Sequence, residues 1–203
     1  MFNHQWISSQ SVIPSTRGER GCYKMTVSKS DDMRGQWGSN ETTLAQRAQF
    51  ASKFNCPNDS TQNFYFSILI PADWEFREQW VVVADLHGGN SWMSPWCVYV
   101  AGDLLKFCIN EQKANNQIKG HYTDITLIPE QWYDFHITSH LDTDHSGYHT
   151  VICNGVEITN YSGSTVQNTE TVGCYEKIGP YVHTTWDGVD YRTIYAILDS
   201  YKI

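Results

Sequence analysis

Cys174-Tyr175-Glu176-Lys177-Ile178-Gly179-Pro180-Tyr181 is the stretch from which the rest of the chain is read. In an extended conformation, alternation sends Tyr175, Lys177, Gly179 and Tyr181 to one face and Glu176, Ile178 and Pro180 to the other. One face then carries two phenols and an ammonium, with a glycine leaving room beside them. Such a face is either the solvated side of a half-exposed strand or a floor on which a sugar ring can lie.

Working outward, most periodic segments alternate as strands do. Residues 21–27, 43–50, 63–70 and 80–87 carry the pattern, as do 96–101, 104–109, 121–128, 132–140, 148–153 and 192–202. Turn chemistry separates several of them: Ala101-Gly102-Asp103, Asp144-His145-Ser146-Gly147 and Cys153-Asn154-Gly155. Residues 72–79 are polar and long enough for one helical turn. No long helical period occurs, so the expected fold is all-β, an antiparallel sandwich of two sheets. The 203 residues fit one domain, 1–203, with 1–20 expected as an N-terminal arm.

Composition narrows the function classes. The chain is 40% hydrophobic, 14% aromatic and 18% charged, which describes a globular protein rich in Trp and Tyr. A net charge of −8 argues against nucleic acid as a partner. The balance is uneven: seven Lys/Arg face four Asp/Glu in residues 1–53, a local +3, leaving −11 for the remainder. An anionic ligand is therefore expected near the N-terminal portion. No apolar run approaches the roughly 20 residues of a membrane span, so no membrane partner is expected. The first residues show neither a basic nor an apolar leader region, which fits action where the protein is made, release by lysis, or a sequence that lacks its leader. Six cysteines, at 22, 56, 97, 108, 153 and 174, lack C-x-x-C spacing, and several sit in apolar runs, so they are expected as reduced core residues, with disulfides the lesser reading.

Three places offer chemistry. Asp85 and His87 are two apart and share a face, so the carboxylate can orient an imidazole base; alternatively the histidine caps a strand end. Arg47 and Gln49 share a face too, and a guanidinium there is a natural partner for a carboxylate, or else an edge residue in water. Asp142, Asp144 and Ser146 mimic the first half of a calcium loop. Position twelve is Cys153 instead of a bidentate Glu, which favours a polar hairpin turn over calcium. No G-x-S-x-G elbow and no H-E-x-x-H helix is present.

Taken in order, these elements resemble the jelly-roll polysaccharide lyases of the alginate lyase, glucuronan lyase and heparin lyase I types. Tyr175 to Tyr181 is similar to their Tyr-x-Lys-x-Gly-x-Tyr strand, Asp85-Leu86-His87 to their Gln-x-His, and Gln46-Arg47-Ala48-Gln49-Phe50 to their Arg-x-Glu strand. The run from Tyr65 to Trp80, the Val151-to-Gly155 hairpin and Thr193-Ile194-Tyr195 extend the resemblance over most of the chain. It implies a concanavalin A-like jelly roll with one concave face forming a groove, and β-elimination on an acidic polysaccharide without a cofactor. It implies His87 as base, Tyr181 as proton donor, and Arg47 with Lys177 as catalytic cations. Gln49, Tyr175 and Asp85 fall at substrate-binding positions. Two departures stand out: Asp85 replaces a neutral Gln, and Gln49 replaces a Glu. They keep open a non-catalytic glycan-binding module or a phage virion protein, structural or receptor-binding, with extracellular or virion-associated action.

Overall fold

The structure, a computed structural model, describes residues 2–5, 9–14, 21–29, 46–52, 56–89, 94–112, 118–166, 172–182 and 189–198. These form fifteen strands and, among the described residues, no helix. In chain order they are β1 (Phe2–Gln5), β2 (Ser9–Pro14), β3 (Gly21–Ser28), β4 (Gln46–Arg47), β5 (Gln49–Ser52), β6 (Ser60–Leu69), β7 (Val81–Gly88) and β8 (Trp96–Ala101). There follow β9 (Leu104–Gln112), β10 (Ile118–Thr126), β11 (Trp132–Leu141), β12 (Tyr148–Cys153), β13 (Val156–Ser162), β14 (Cys174–Val182) and β15 (Tyr191–Leu198).

Two antiparallel sheets stack on one core. The first runs β1-β5-β14-β7-β8-β9-β10, with β4 also on β14; the second runs β13-β12-β11-β6-β15-β3-β2. Strict alternation decides which side chains meet between them. In β11, Tyr133, Phe135, Ile137, Ser139 and Leu141 are buried while their neighbours are partly exposed. Trp96 of β8 is fully buried where the sheets meet, edge-on to Phe64 at 5.5 Å and stacked on Phe66 at 6.2 Å, both from β6.

Several expectations change in detail. The alternating run 43–50 is not one strand: it is broken at Ala48 into β4 and β5, with 43–45 outside the described residues. Residues 72–79 form turns and bends instead of a helical turn, with Trp74 N–H bonded to the Pro71 carbonyl at 3.1 Å. The N-terminal arm supplies β1, paired with β5, and β2, paired with β3. β13 was not foreseen: it is an edge strand with mostly exposed side chains, so burial leaves little mark on its sequence. The three turn signals hold, and in Asn154-Gly155 both residues have positive φ, the geometry of a two-residue hairpin.

Candidate active site

The outer face of the first sheet carries a cleft of about 590 Å³, in the size range of small-ligand sites. β14 lies at its centre, between β5 and β4 on one side and β7 on the other. Pairing lays the cleft out in rows. One row runs Lys177, Asp85, Cys97, Cys108, Tyr122, each opposite the next. Another runs Arg47, Tyr181, Val82, Tyr99. Inward from Lys177, Glu176 and Ile178 are buried, as alternation requires.

Gly179 is what lets these strands close up. Its φ is +137°, and a Cβ there would strike the Ala48 carbonyl oxygen and lie 2.7 Å from Gln49 Cα. Across this approach Gln49 Nε2 donates to the Gly179 carbonyl at 3.2 Å, and Ala48 N–H to the Pro180 carbonyl at 2.9 Å. Arg47 and Gln49 are thereby brought alongside Tyr181. The Arg47 guanidinium lies 4.5 Å from the centre of the Tyr181 ring, which Trp80 flanks at 6.2 Å.

His87 Nδ1 donates to the Gly88 carbonyl at 2.7 Å, an acceptor that fixes the tautomer and leaves Nε2 with its lone pair. Burial holds His87 below the ordinary imidazole value. Lys177 and Arg47 add to that, while Asp85 and the Gly88 bond oppose it. Lys177 is lowered to about 8, first by burial and then by Arg47, against the pull of Asp85. Asp85 is buried and accepts from Ser94 Oγ at 2.9 Å. The cleft thus offers a neutral imidazole, two cations, one of them against a phenol, and one carboxylate facing the lysine.

Of the residues singled out from sequence, Arg47, Gln49, Asp85, His87, Lys177 and Tyr181 all line this one cleft. Tyr175 does not; it stands opposite His87 on the neighbouring strand, 5.4 Å from the His87 ring and with Lys177 Nζ 5.0 Å from its centroid. Trp80, Tyr99, Asn110 and Tyr122 line the cleft unforeseen. The core placement of Cys97 is corrected: it is half-buried and lines the cleft; Cys108 is buried as expected but lines the cleft as well, while Cys22, Cys56, Cys153 and Cys174 are buried. The alternation of Cys97 and Tyr99 with buried Trp96, Val98 and Val100 was the available signal. Asp142, Asp144 and Ser146 make a self-capped turn elsewhere. Asp142 accepts from the Asp144 N–H at 2.9 Å and Ser146 Oγ at 2.7 Å, and Asp144 from the Ser146 N–H at 3.1 Å.

The polysaccharide lyase family model matches residues 2–197. The chain belongs to this family. No curated protein matches it in sequence. Among solved structures, the endo-β-1,4-glucuronan lyase of the fungus Trichoderma reesei is similar at 14% identity and TM-score 0.73, over 98% of this chain and 92% of that one. A family 7 alginate lyase in complex with its product is similar at 15% identity and TM-score 0.63, over 95% and 85%. The catalytic domain of a GH131 β-glucanase from Podospora anserina is similar at 11% identity and TM-score 0.59, over 96% and 81%. These likenesses establish the jelly-roll fold for this member of the lyase family, and the glucanase shows that the fold also carries other chemistry.

Proposed function

We propose that this polysaccharide lyase cleaves uronic-acid-containing glycans by β-elimination in the cleft on β14. The observation that carries the reading is that Arg47, Gln49, His87, Lys177 and Tyr181 line one sugar-sized space. The reaction needs a uronate carboxylate neutralised, its C5 proton removed, and the departing C4 oxygen protonated. Arg47 and Lys177 supply positive charge and Gln49 an amide where enolate charge develops. His87 Nε2 takes the C5 proton, the C4–O bond breaks as the C4–C5 double bond forms, and the Tyr181 hydroxyl gives its proton to the leaving oxygen. For substrates of the other stereochemistry Tyr181 serves as both base and acid. Proton exchange with water then restores both groups.

Asp85 bears on the alternative of a glycan-binding module, because a carboxylate here opposes a uronate. Two cations outweigh it, and Asp85 raises the Lys177 pKa, keeping that ammonium charged. The decisive experiment follows the ultraviolet absorbance of the unsaturated uronate over a panel of polyuronates, with wild type beside His87→Ala and Tyr181→Phe. Wild type is expected to produce it, and each variant to lose on the order of 10²–10⁴-fold in rate. Retained glycan binding with no unsaturated product would establish the binding module instead.

A further inference from the structure

Four of the six cysteines stand in directly opposed cross-strand pairs: Cys97 with Cys108, and Cys56 with Cys174. The first pair lies on the cleft floor and the second in the core. Asn110 N–H bonds to the Pro95 carbonyl at 2.9 Å, marking 95/110 as a hydrogen-bonded position of the β8–β9 ladder. Two residues on, Cys97/Cys108 is another. Such pairs hold their Cα atoms about 5.5 Å apart, inside the about 4.4–6.8 Å that a disulfide spans.

We propose that Cys97 and Cys108 are a redox modification site, which a two-electron oxidant such as hydrogen peroxide closes into a disulfide across the cleft floor. This stands on strand register and on the place of both cysteines in the cleft lining, independently of the lyase reading. Cys108 is the attacking sulfur. Hydrogen bonds from the Cys97 thiol and the Tyr122 hydroxyl favour its thiolate, against burial and the bond that its own thiol donates to Asn110 Oδ1 at 3.4 Å. The thiolate attacks one peroxide oxygen, the O–O bond breaks, and hydroxide leaves; the product is a sulfenic acid. The Cys97 sulfur then attacks the Cys108 sulfur and expels the second oxygen as water. Two thiol hydrogens and one peroxide become one bridge and two waters. Cβ atoms of facing strand residues lie about 4.5–5.5 Å apart, and the bridge draws them to about 3.8 Å. The resulting strain makes it readily reduced.

Cys56 and Cys174 supply an internal comparison. They share the opposed geometry, with Cys174 N–H bonded to the Cys56 carbonyl at 2.8 Å. Burial, with the Glu176 carboxylate, pushes the Cys56 thiol up to about 12, leaving little thiolate to oxidise.

The test treats the reduced full chain with hydrogen peroxide, then denatures it and alkylates the remaining thiols. Trypsin cuts after Lys106, between the two cysteines, so a bridge joins peptides 78–106 and 107–113. Four alkylated thiols, that joined pair, and recovery of all six thiols with dithiothreitol are expected. In Cys97→Ser, Cys108 should stop at the sulfenic acid and take up dimedone, which it does not do in wild type. Six alkylated thiols, a bridge mapping to Cys56 and Cys174, or Cys108 driven to sulfinic acid in wild type would each overturn the proposal.

Discussion

Lys177 and His87 sit close enough to share the field of Asp85 and Arg47, yet the lyase reading asks opposite protonation states of them. His87 must be neutral to accept a proton. Its pKa is held below the ordinary 6.5, so kcat/KM should fall only as pH drops below that value. Lys177 must be charged to meet a carboxylate, so kcat/KM should fall again as pH rises through about 8. Lys177→Arg keeps its charge across this range and is expected to move the alkaline limb upward, at some cost in rate because the guanidinium is planar and wider. Asp85→Asn removes the group that raises both residues, so both limbs should move toward acid, while KM for a polyuronate falls with the loss of a like charge. Profiles of kcat/KM against pH for the three proteins check this. An unmoved alkaline limb in both variants would remove Lys177 from the reaction.

At the scale of the element, β14 works because Gly179 has no side chain. Gly179→Ala meets both a positive φ and the Ala48 carbonyl, so it should cost at least about 2 kcal/mol in denaturant unfolding and lose activity as Arg47 and Gln49 shift. Gly155→Ala is the control: its φ is +79° with open space around the added carbon, so about 1 kcal/mol is expected with activity unchanged. β14 was legible in the sequence because its two faces differ so sharply in chemistry. β7 was legible as a strand along its length, but its facing only from Asp85 onward. Alternation from Asp85 and His87 would turn Val83 outward, yet Val83 is fully buried and Val82 lines the cleft. The β7–β8 register slips between Val82 and Ala84, an irregularity of the ladder that no residue type announces. Cys97 and Cys108 were harder to read for another reason: each sits in an apolar run, where alternation turns it away from buried Trp96, Val98, Phe107 and Ile109 but does not say that a cleft lies on that side. Trp80, just before β7, lies outside the alternation altogether.

Across the whole molecule, the two sheets enclose a core into which the ladder alternation also turns an imidazole. His149 of β12 is fully buried, stacked on Tyr161 at 6.0 Å, with Nδ1 2.9 Å from Ser139 Oγ. Its Nε2 has no hydrogen-bond partner among the described residues. Burial lowers its pKa to about 3, so the folded protein holds it neutral while the unfolded chain takes up a proton near 6.5. Below that pH the unfolded state binds more protons, and stability falls with falling pH until the folded pKa is reached. Between pH 7 and pH 5 this one group should remove about 2 kcal/mol from the unfolding free energy. His149→Gln has no such titration. The difference in unfolding free energy between the two proteins should therefore shift by that amount in favour of the variant at pH 5, whatever each protein's value at pH 7. Carboxylate titrations common to both cancel in the comparison. Because His87 also titrates at acid pH, loss of activity alone cannot report this event; denaturant unfolding at the two pH values can. A pH-independent difference would mean that His149 is hydrated in the folded protein and that the sheets are open to water at that end.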